Sequence, residues 1–524
     1  MSFHQVPTHV DFISLEHEVL ELWDRVKAFE TRRKLNAGKQ TWSFLDGPIT
    51  ANNPMGAHHA WGRTYKDVFG RYWALKGYDT RYQNGFDCQG LWVEVEVEKE
   101  LGYESKRDIE AHGLEDFVNL CKQRVLKYAA VQTEQSIRLG FWMDWNDPES
   151  LRHLEAKMAQ DPNQVITIQG PLGPVTDRVD GLVGRLGMPE MGGSYFTFAN
   201  ENNYMIWAML KSCHERGWVY KGHDVMPWCA RCGTGISQHE IVTEGYQELT
   251  HASVYAYFPL RERPSESLLV WTTTPWTLTS NMAAAVHPEL PYVLVEQVTK
   301  DGGPSVRFWL SKGAVANAVR GEHTVVDEKP GAELVGWTYD GPFDELPVVA
   351  AALDVDQGAP YPHRVITWDE VGEAEGTGIV HIAPGCGAED YQLGVEFGLP
   401  VVAPLDELGI YGEGFNWLSG MNVHDVAKPI FHDLKSKGRV YRIEDYSHRY
   451  PVCWRCGQEL VFRLVDEWFV RMGEQLDKPF AEVTEEEKDH NLRYQIMEIV
   501  QNDTKWYPSF GLEREMDWLR NMHD

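Results

Sequence analysis

The sequence predicts an α/β chain. The opening part of a nucleotide-binding sheet is followed by a β-rich domain, and a metal-binding connector joins that domain's two ends. Three observations carry the expectation. A strand, a Gly/Asn/Pro-rich loop and a helix follow one another over 41–75, the opening unit of a nucleotide-binding sheet. Two Cys-x-x-Cys knuckles, Cys229-Ala230-Arg231-Cys232 and Cys453-Trp454-Arg455-Cys456, lie about 220 residues apart. Between them the pattern changes to short strands separated by turn residues.

The elements follow in order. Residues 14–30 read as an amphipathic helix with Leu15, Val19, Leu22, Trp23 and Val26 on one face. Thr41–Leu45 reads as a buried strand ending in Asp46-Gly47-Pro48, and His59–Leu75 as a helix carrying Tyr65, Phe69, Tyr72 and Trp73. A second strand and turn end at Gly85-Phe86-Asp87-Cys88-Gln89-Gly90, and 116–139 reads as a long helix. Residues 148–194 change character and read as an inserted small module or lid. Asn202–Gly217 is helical again and leads to the first knuckle. Short strands are expected at 253–258, 267–272, 292–298, 364–368 and 378–383. The polar stretch 476–524 has helical tendency. The segments are therefore 1–147, 148–194, 195–247, 248–440, 441–475 and 476–524.

Bulk properties narrow the class. With 524 residues, 43% of them apolar, and 20 Trp, there is material for several cores. The net charge of −29 argues against nucleic-acid binding through bulk charge, and leaves a local basic groove open. No apolar run reaches eighteen residues, so no membrane span is expected. Met1-Ser2-Phe3-His4-Gln5 lacks the basic flank and apolar core of a secretory signal. Eight Cys in this length do not make a disulfide framework and fit a cytoplasmic protein with a metal site.

Four thiolates in two close pairs suit one tetrahedral Zn2+, with Cys229, Cys232, Cys453 and Cys456 as ligands. A redox pair or two unrelated turns are the alternatives. Two matched knuckles, each followed by Gly (Gly233, Gly457), favour one shared metal. The loop before the first long helix is the second candidate site. Backbone N–H groups at a helix N-terminus attract phosphate, and His58 and His59 beside them could donate to triphosphate oxygens. The same two imidazoles could instead cap the helix.

The stretch 45–100 resembles the class I aminoacyl-tRNA synthetases of the isoleucine, valine and leucine group, which have a Rossmann-like catalytic domain with an inserted editing domain. Their His-x-Gly-His signature, counted back from Thr64-Tyr65-Lys66-Asp67, places its second His on His59, its Gly on His58 and its first His on Gly56. The motif here is thus permuted. The family block Gly-Trp-Asp-x-His-Gly-Leu-Pro-x-Glu stands as Gly85-Phe86-Asp87-Cys88-Gln89-Gly90-Leu91-Trp92-Val93-Glu94. Gln89 and Trp92 depart from the family His and Pro.

A third block, Trp271-Thr272-Thr273-Thr274-Pro275-Trp276-Thr277, resembles the editing domain of the isoleucine branch. So do Gly376–Gly385, Glu389-Asp390-Tyr391 and His448-Arg449-Tyr450-Pro451. The resemblance implies ATP-dependent attachment of isoleucine to tRNA(Ile) with Mg2+, hydrolytic editing of valyl-tRNA, and a monomer. It implies that His58 and His59 act in adenylate formation and that Gly56 and His59 hold ATP. Pro48, Asn52, Asp87 and Gln89 would bind the amino acid, with Asp87 on its ammonium. Asp390 would bind the misacylated amino group. Thr272, Thr273 and Thr274 would position ester and water, and Trp276 and His381 would shape the pocket. The family's Lys-Met-Ser-Lys-Ser loop does not occur in these residues, so the resemblance also implies the N-terminal portion of a longer enzyme, incompetent in synthesis alone. An editing-only hydrolase, a valine or leucine relative and a non-catalytic tRNA-binding paralogue remain rival readings.

Overall fold

The computed structural model describes residues 8–237, 240–241, 245–298, 305–354, 361–373 and 376–524. The opening segment read above as lacking a signal lies outside them. The chain divides into two units, Met1–Arg216 and Gly217–Asp524.

In the first unit the N-terminal periodicity folds as two helices, α1 (Phe12–Val26) and α2 (Ala28–Asn36), rather than as the single helix expected over 14–30. The break is Lys27, whose backbone is left-handed (φ 49°). Its N–H closes α1 on the carbonyls of Asp24 and Trp23. Leu15, Leu22 and Val26 remain exposed.

Two short parallel ladders follow. Strand β1 (Thr41–Leu45) pairs with β3 (Asp79–Gln83), and β2 (Ile49–Thr50) pairs with β4 (Gly85–Asp87), which pairs with β7 (Tyr195–Phe196). Helix α3 (Ala57–Leu75) connects β2 to β3. Strand β1 was expected to be buried. It alternates exposed and half-buried residues, and Leu45 is 82% exposed. Among the described residues β1 has a neighbour on one side only.

Helices α4 (Leu91–Leu101), α5 (Arg107–His112) and α6 (Leu114–Arg138) cover the ladders' continuation. The stretch expected as a module or lid forms α7 (Pro148–Gln160), the hairpin β5 (Val165–Gly170) and β6 (Gly173–Arg178), and α8 (Val179–Val183). It is not a lid. Leu151, Leu154 and Met158 of α7 and Leu182 and Val183 of α8 lie in the same buried cluster as Phe86, Val125, Leu126 and Phe196. The reason is local. Asp147 caps the helix and Pro148 starts it, and apolar residues at i, i+3 and i+7 make a stripe that must be buried. Helix α9 (Asn200–Glu215) ends the unit.

The second unit is built on β8 (Val219–Cys229), β9 (Thr234–Gly235), β10 (Tyr246–Pro259), β11 (Glu266–Thr272), β12 (Ala283–Val286), β13 (Pro291–Val298), β14 (Ser305–Ser311), β15 (Thr324–Pro330), β16 (Arg364–Thr367), β17 (Val380–Ile382), β18 (Val440–Pro451) and β19 (Val461–Val470). A six-stranded sheet runs β15-β13-β14-β11-β10-β18, a second sheet β16-β12-β17, and a third β19-β8-β9. All five expected strands are present. Strands β8, β9, β12, β14, β15, β18 and β19 were not expected. Ala283-Ala284-Ala285 has helical propensity, yet it is fully buried and pairs with β16 on one side and β17 on the other, so the flanking strands override it.

The aromatic core of this unit includes Phe258, Trp309, Tyr339 and Tyr411, all nearly inaccessible. The polar tail folds into short helices, Glu485–Asp489, Leu492–Glu498 and Gly511–Asn521. They surround a small core of Val483, Tyr494, Met497, Met516 and Leu519.

If α7 belongs to the first unit's core, Leu154→Ala leaves a cavity and costs about 2–5 kcal/mol. Urea unfolding followed by limited proteolysis within 1–216 would show it. A variant whose first unit unfolds at the wild-type midpoint would return α7 to the status of an appendage.

Candidate functional site

In the first unit, chemistry gathers where the parallel strands end, the usual ligand edge of an open α/β sheet. Strand β2 ends at Thr50, β4 ends at Asp87, and Thr197 follows β7. Thr50 Oγ1 donates to Asp87 Oδ2 at 3.0 Å, and Thr197 Oγ1 donates to Asp87 Oδ1 at 3.5 Å. Among the described residues no Lys or Arg forms an ion pair with Asp87. Its charge is therefore held by hydroxyls and left available to a cation. The alternative of an aspartate capping its own turn does not describe these bonds.

Asn52 donates from Nδ2 to the Trp92 carbonyl at 3.0 Å and so ties the loop to the start of α4. Gln89 is exposed beside it, and Pro48 is half-buried just before β2.

The loop reaches α3 at Gly56. A Cβ there would sit 3.0 Å from Cε1 of the exposed His58 ring. His59 Nδ1 accepts the Gly56 N–H at 3.2 Å, and the His58 and His59 rings lie 3.8 Å apart between centroids. Burial, then His58 and Arg63, push His59 below its ordinary pKa. With Nδ1 occupied as an acceptor, a neutral His59 carries its proton on Nε2 and can donate it. Capping and donation therefore coexist in one ring.

Sequence reasoning missed Arg63, which is buried, bonds Asn84 Oδ1 and the Gly85 carbonyl, and lies 3.8 Å from Asp46. An Arg four residues beyond a helix-capping His carries no legible signal by itself.

In the second unit, Thr272, Thr273, Thr274, Thr277, His381, Gly387 and Asp390 line one cavity of about 380 Å³. Strand β11 delivers Thr272, and a turn of 3₁₀ helix, Pro275–Ser280, follows. Thr274 N–H donates to Thr272 Oγ1 at 3.1 Å. Strand β17 delivers His381 opposite Ala284, a residue small enough to leave room for a ring. The strand then turns into the helix Ala388–Phe397. Asp390, in that helix's first turn, accepts the Ala383 N–H at 2.7 Å. Ala383 lies just past the end of β17, two residues after His381, so the bond brings the Asp390 carboxyl to the strand end that delivers His381. A Cβ at Gly387 would come within 3.0 Å of the Asp390 carboxyl carbon.

Trp276 does not join this group. Its side chain is buried and lines a neighbouring cavity of about 210 Å³ with His251, His424, Tyr450 and Glu459. The 3₁₀ turn rotates it away from Thr272. The expected pocket wall is therefore His381 and the threonines without Trp276.

Electrostatically the cleft is built from groups held near neutrality. Burial pushes His381 down to about 4. Burial, with a smaller contribution from Glu389, pushes Asp390 up to about 7. The residual field of the helix N-terminus favours its anion.

The four knuckle cysteines also meet in the second unit. Cys229 Sγ lies 3.5 Å from Cys456 Sγ, Cys232 Sγ lies 4.0 Å from Cys453 Sγ, and all four sulfurs lie within 4.8 Å of one another. A tetrahedral zinc with ~2.3 Å bonds spaces its sulfurs about 3.8 Å apart, so the donor set fits that ion. Hydrogen bonds from Cys229 and Cys232 push the Cys456 thiol below its ordinary pKa. Among the described residues no other cluster of His, Cys, Asp and Glu meets the same spacing, and no helix is long and apolar enough to cross a membrane.

A family model for class I tRNA synthetases (I, L, M and V) matches residues 18–162 and 177–524. The gap at 163–176 holds most of the β5–β6 hairpin. The isoleucine–tRNA ligase of Thermobifida fusca is 33% identical over all of this chain and 42% of its own length. That of Pyrococcus horikoshii is 34% identical over 96% of this chain and 42% of its own. That of Pyrobaculum aerophilum is 36% identical over 93% and 44%. The chain thus spans about two fifths of the length of the curated relatives it matches.

Asp390 gives a prediction with a definite sign. Its carboxyl titrates near 7 in the fold and near 3.9 when unfolded. The folded state therefore keeps a proton that the unfolded chain has released between about pH 4 and 7. Stability falls as pH rises through that window, by on the order of 2–4 kcal/mol. Asp390→Asn keeps the bond to Ala383 and removes the titration. The variant should match wild type at pH 4 and exceed it in thermal stability at pH 8. A stability difference that does not change with pH would remove this assignment of the buried carboxyl.

Proposed function

The chain belongs to the class I tRNA synthetases of the I, L, M and V group, and on that premise we propose that it is part of an isoleucine–tRNA ligase. In this reading it carries an amino-acid and ATP half-site in the first unit and a deacylation site in the second. The observation that carries the reading is the cleft joining Thr272–Thr274, His381 and Asp390. Identities near one third to isoleucine–tRNA ligases support isoleucine as the amino acid.

In the first unit, Asp87 takes the substrate ammonium, with Thr50 and Thr197 fixing the carboxylate's orientation. The neutral Nε2–H of His59 and the N-terminus of α3 face the charge that develops on transferred phosphate. Mg2+ would enter with ATP and supply further neutralisation of its phosphates.

In the second unit, Asp390 takes the ammonium of a misattached valyl group. Thr272 and Thr274, which bond each other (Oγ1 to Oγ1, 3.2 Å), hold the ester carbonyl. Water adds to the ester carbon, and the carbon–oxygen bond to the ribose breaks. The water's proton passes to the departing ribose oxygen, which leaves valine and free tRNA. A second sieve is needed because one methylene is worth only about 1–3 kcal/mol, as established for isoleucine against valine. His381 supplies the steric limit, since its ring fills the cleft wall beside Ala284.

The sulfur cluster holds zinc in this reading, and its role is structural. All four positions are filled by Cys, which leaves no open coordination place for substrate.

Two experiments test these assignments. Asp390→Ala should lose valyl-tRNA hydrolysis by on the order of 10²-fold through lost positioning, while His381→Ala should admit isoleucyl-tRNA and hydrolyse it. Deacylation of both esters by the three proteins decides the matter, and wild-type valyl-tRNA hydrolysis by Asp390→Ala would sink the site assignment. Elemental analysis should find one zinc per chain, lost in Cys456→Ser. A zinc-free wild type, or a variant that keeps its metal, would refute the ligand set.

A further inference from the structure

Thr277 stands in the wall of the ester cleft with a hydrogen-bond pattern that constrains its neighbour. Its hydroxyl carries one proton, and that proton goes to the Thr274 carbonyl at 2.8 Å. The same oxygen lies 2.9 Å from His381 Nε2. A hydroxyl already donating elsewhere can only accept here, so the imidazole must donate from Nε2. The reverse arrangement, with Thr277 donating to Nε2, puts the ring proton on Nδ1. Nδ1 is buried and has no partner among the described residues. An orphaned buried N–H is less tolerable than an unshared lone pair, and the reverse arrangement also forfeits the bond to Thr274.

We propose that Thr277 is a positioning residue that locks neutral His381 in the Nε2–H tautomer and so fixes the rotation of the ring that walls the cleft. The inference rests on reading the cleft as a deacylation site. The ring is part of the cleft's wall and stands opposite Ala284, so its rotation sets how much of the cleft a bound side chain can fill.

Thr277 is in turn held by its place in the buried turn Pro275–Ser280. Tyr411 donates to the Trp276 carbonyl at 2.9 Å, and Thr279 Oγ1 donates to the same oxygen at 2.8 Å. The hydroxyl that sets the tautomer is thus fixed by backbone rather than by a free rotor.

The test uses the full 524-residue chain with ¹⁵N-imidazole-labelled histidine, the His381 signals being assigned from those missing in His381→Ala. Wild type should show Nδ1 as a bare nitrogen and Nε2 as a protonated one at pH 7. Thr277→Val, which keeps shape and removes the acceptor, should shift the ring toward Nδ1–H. Thr277→Ser should restore the wild-type pattern. Thr277→Val should admit and hydrolyse isoleucyl-tRNA, as is expected of His381→Ala, and Thr277→Ser should exclude it again. A wild-type proton on Nδ1, or an unchanged tautomer in Thr277→Val, would overturn the lock. Continued exclusion of isoleucyl-tRNA by Thr277→Val would overturn the ring-fixing role. Because the nitrogen spectrum needs no turnover, the proposal and the deacylation reading fail separately. The expected tautomer without deacylation by wild type would overturn that reading and leave the lock standing.

Discussion

The convergence of Cys229, Cys232, Cys453 and Cys456 is the constraint that brings the two ends of the second unit's β-rich fold together. Cys232 and Cys453 are 221 positions apart in the chain, and almost all of the β-rich fold lies between them. Bringing such distant points together costs loop-closure entropy that grows slowly with length, so the cost must be met by local order at the junction. That order is present on both sides. Strand β19 pairs with β8 along ten residues, from Val461 opposite Trp228 to Val470 opposite Val219. Strand β18 pairs with β10 from Pro451 opposite Tyr246 inward. Glu240 accepts from Trp454 Nε1 and Arg455, linking the segment after the first knuckle to the second knuckle itself. The sulfurs sit where these two ribbons meet. From there the order is transmitted along β10 to β11, whose last residue is Thr272.

A common electrostatic device appears in both units. Asp87 and Asp390 are each held by neutral donors, two hydroxyls in one case and a backbone N–H in the other. Among the described residues neither carboxylate forms an ion pair with a basic side chain. A half-buried anion held in this way is costly, and the upward push on Asp390 is the visible consequence. That cost is recovered only when a cation arrives. An α-ammonium is the cation common to a free amino acid and an aminoacyl ester, so under the proposed function the same arrangement would serve activation in one unit and ester recognition in the other.

Much of this was legible in the sequence because its signals are local. Knuckle spacing, the strand–loop–helix at 41–75 and the turn between His381 and Asp390 each lie within a few dozen residues. What was missed is nonlocal. The break at Lys27 turns on one left-handed residue that apolar periodicity does not register. Ala283–Ala285 is a strand because of what flanks it, not because of its propensity. The stretch 148–194 looked detachable by composition, yet Leu154 and Leu182 share a core with Phe86. Trp276 was placed in the pocket because it follows the threonines in sequence, and the 3₁₀ turn sends it into the next cavity. Thr277 was read only as part of a motif, since its effect lies in a bond to a ring 104 positions away.

The most direct measurement of the central claim, that the sulfur junction holds the ends of the β-rich fold, is amide hydrogen exchange before and after treatment with a zinc chelator. The account predicts faster exchange at the junction, in β8, β9, β19 and the outer ends of β10 and β18 near Tyr246 and Pro451. It predicts continued protection of β12, β17 and the inner register around Val254 and Ile443. Exchange that is the same with and without chelator would contradict the claim that a bound metal organises the junction. Uniform loss of protection through the whole unit would contradict the claim that the junction is a local device.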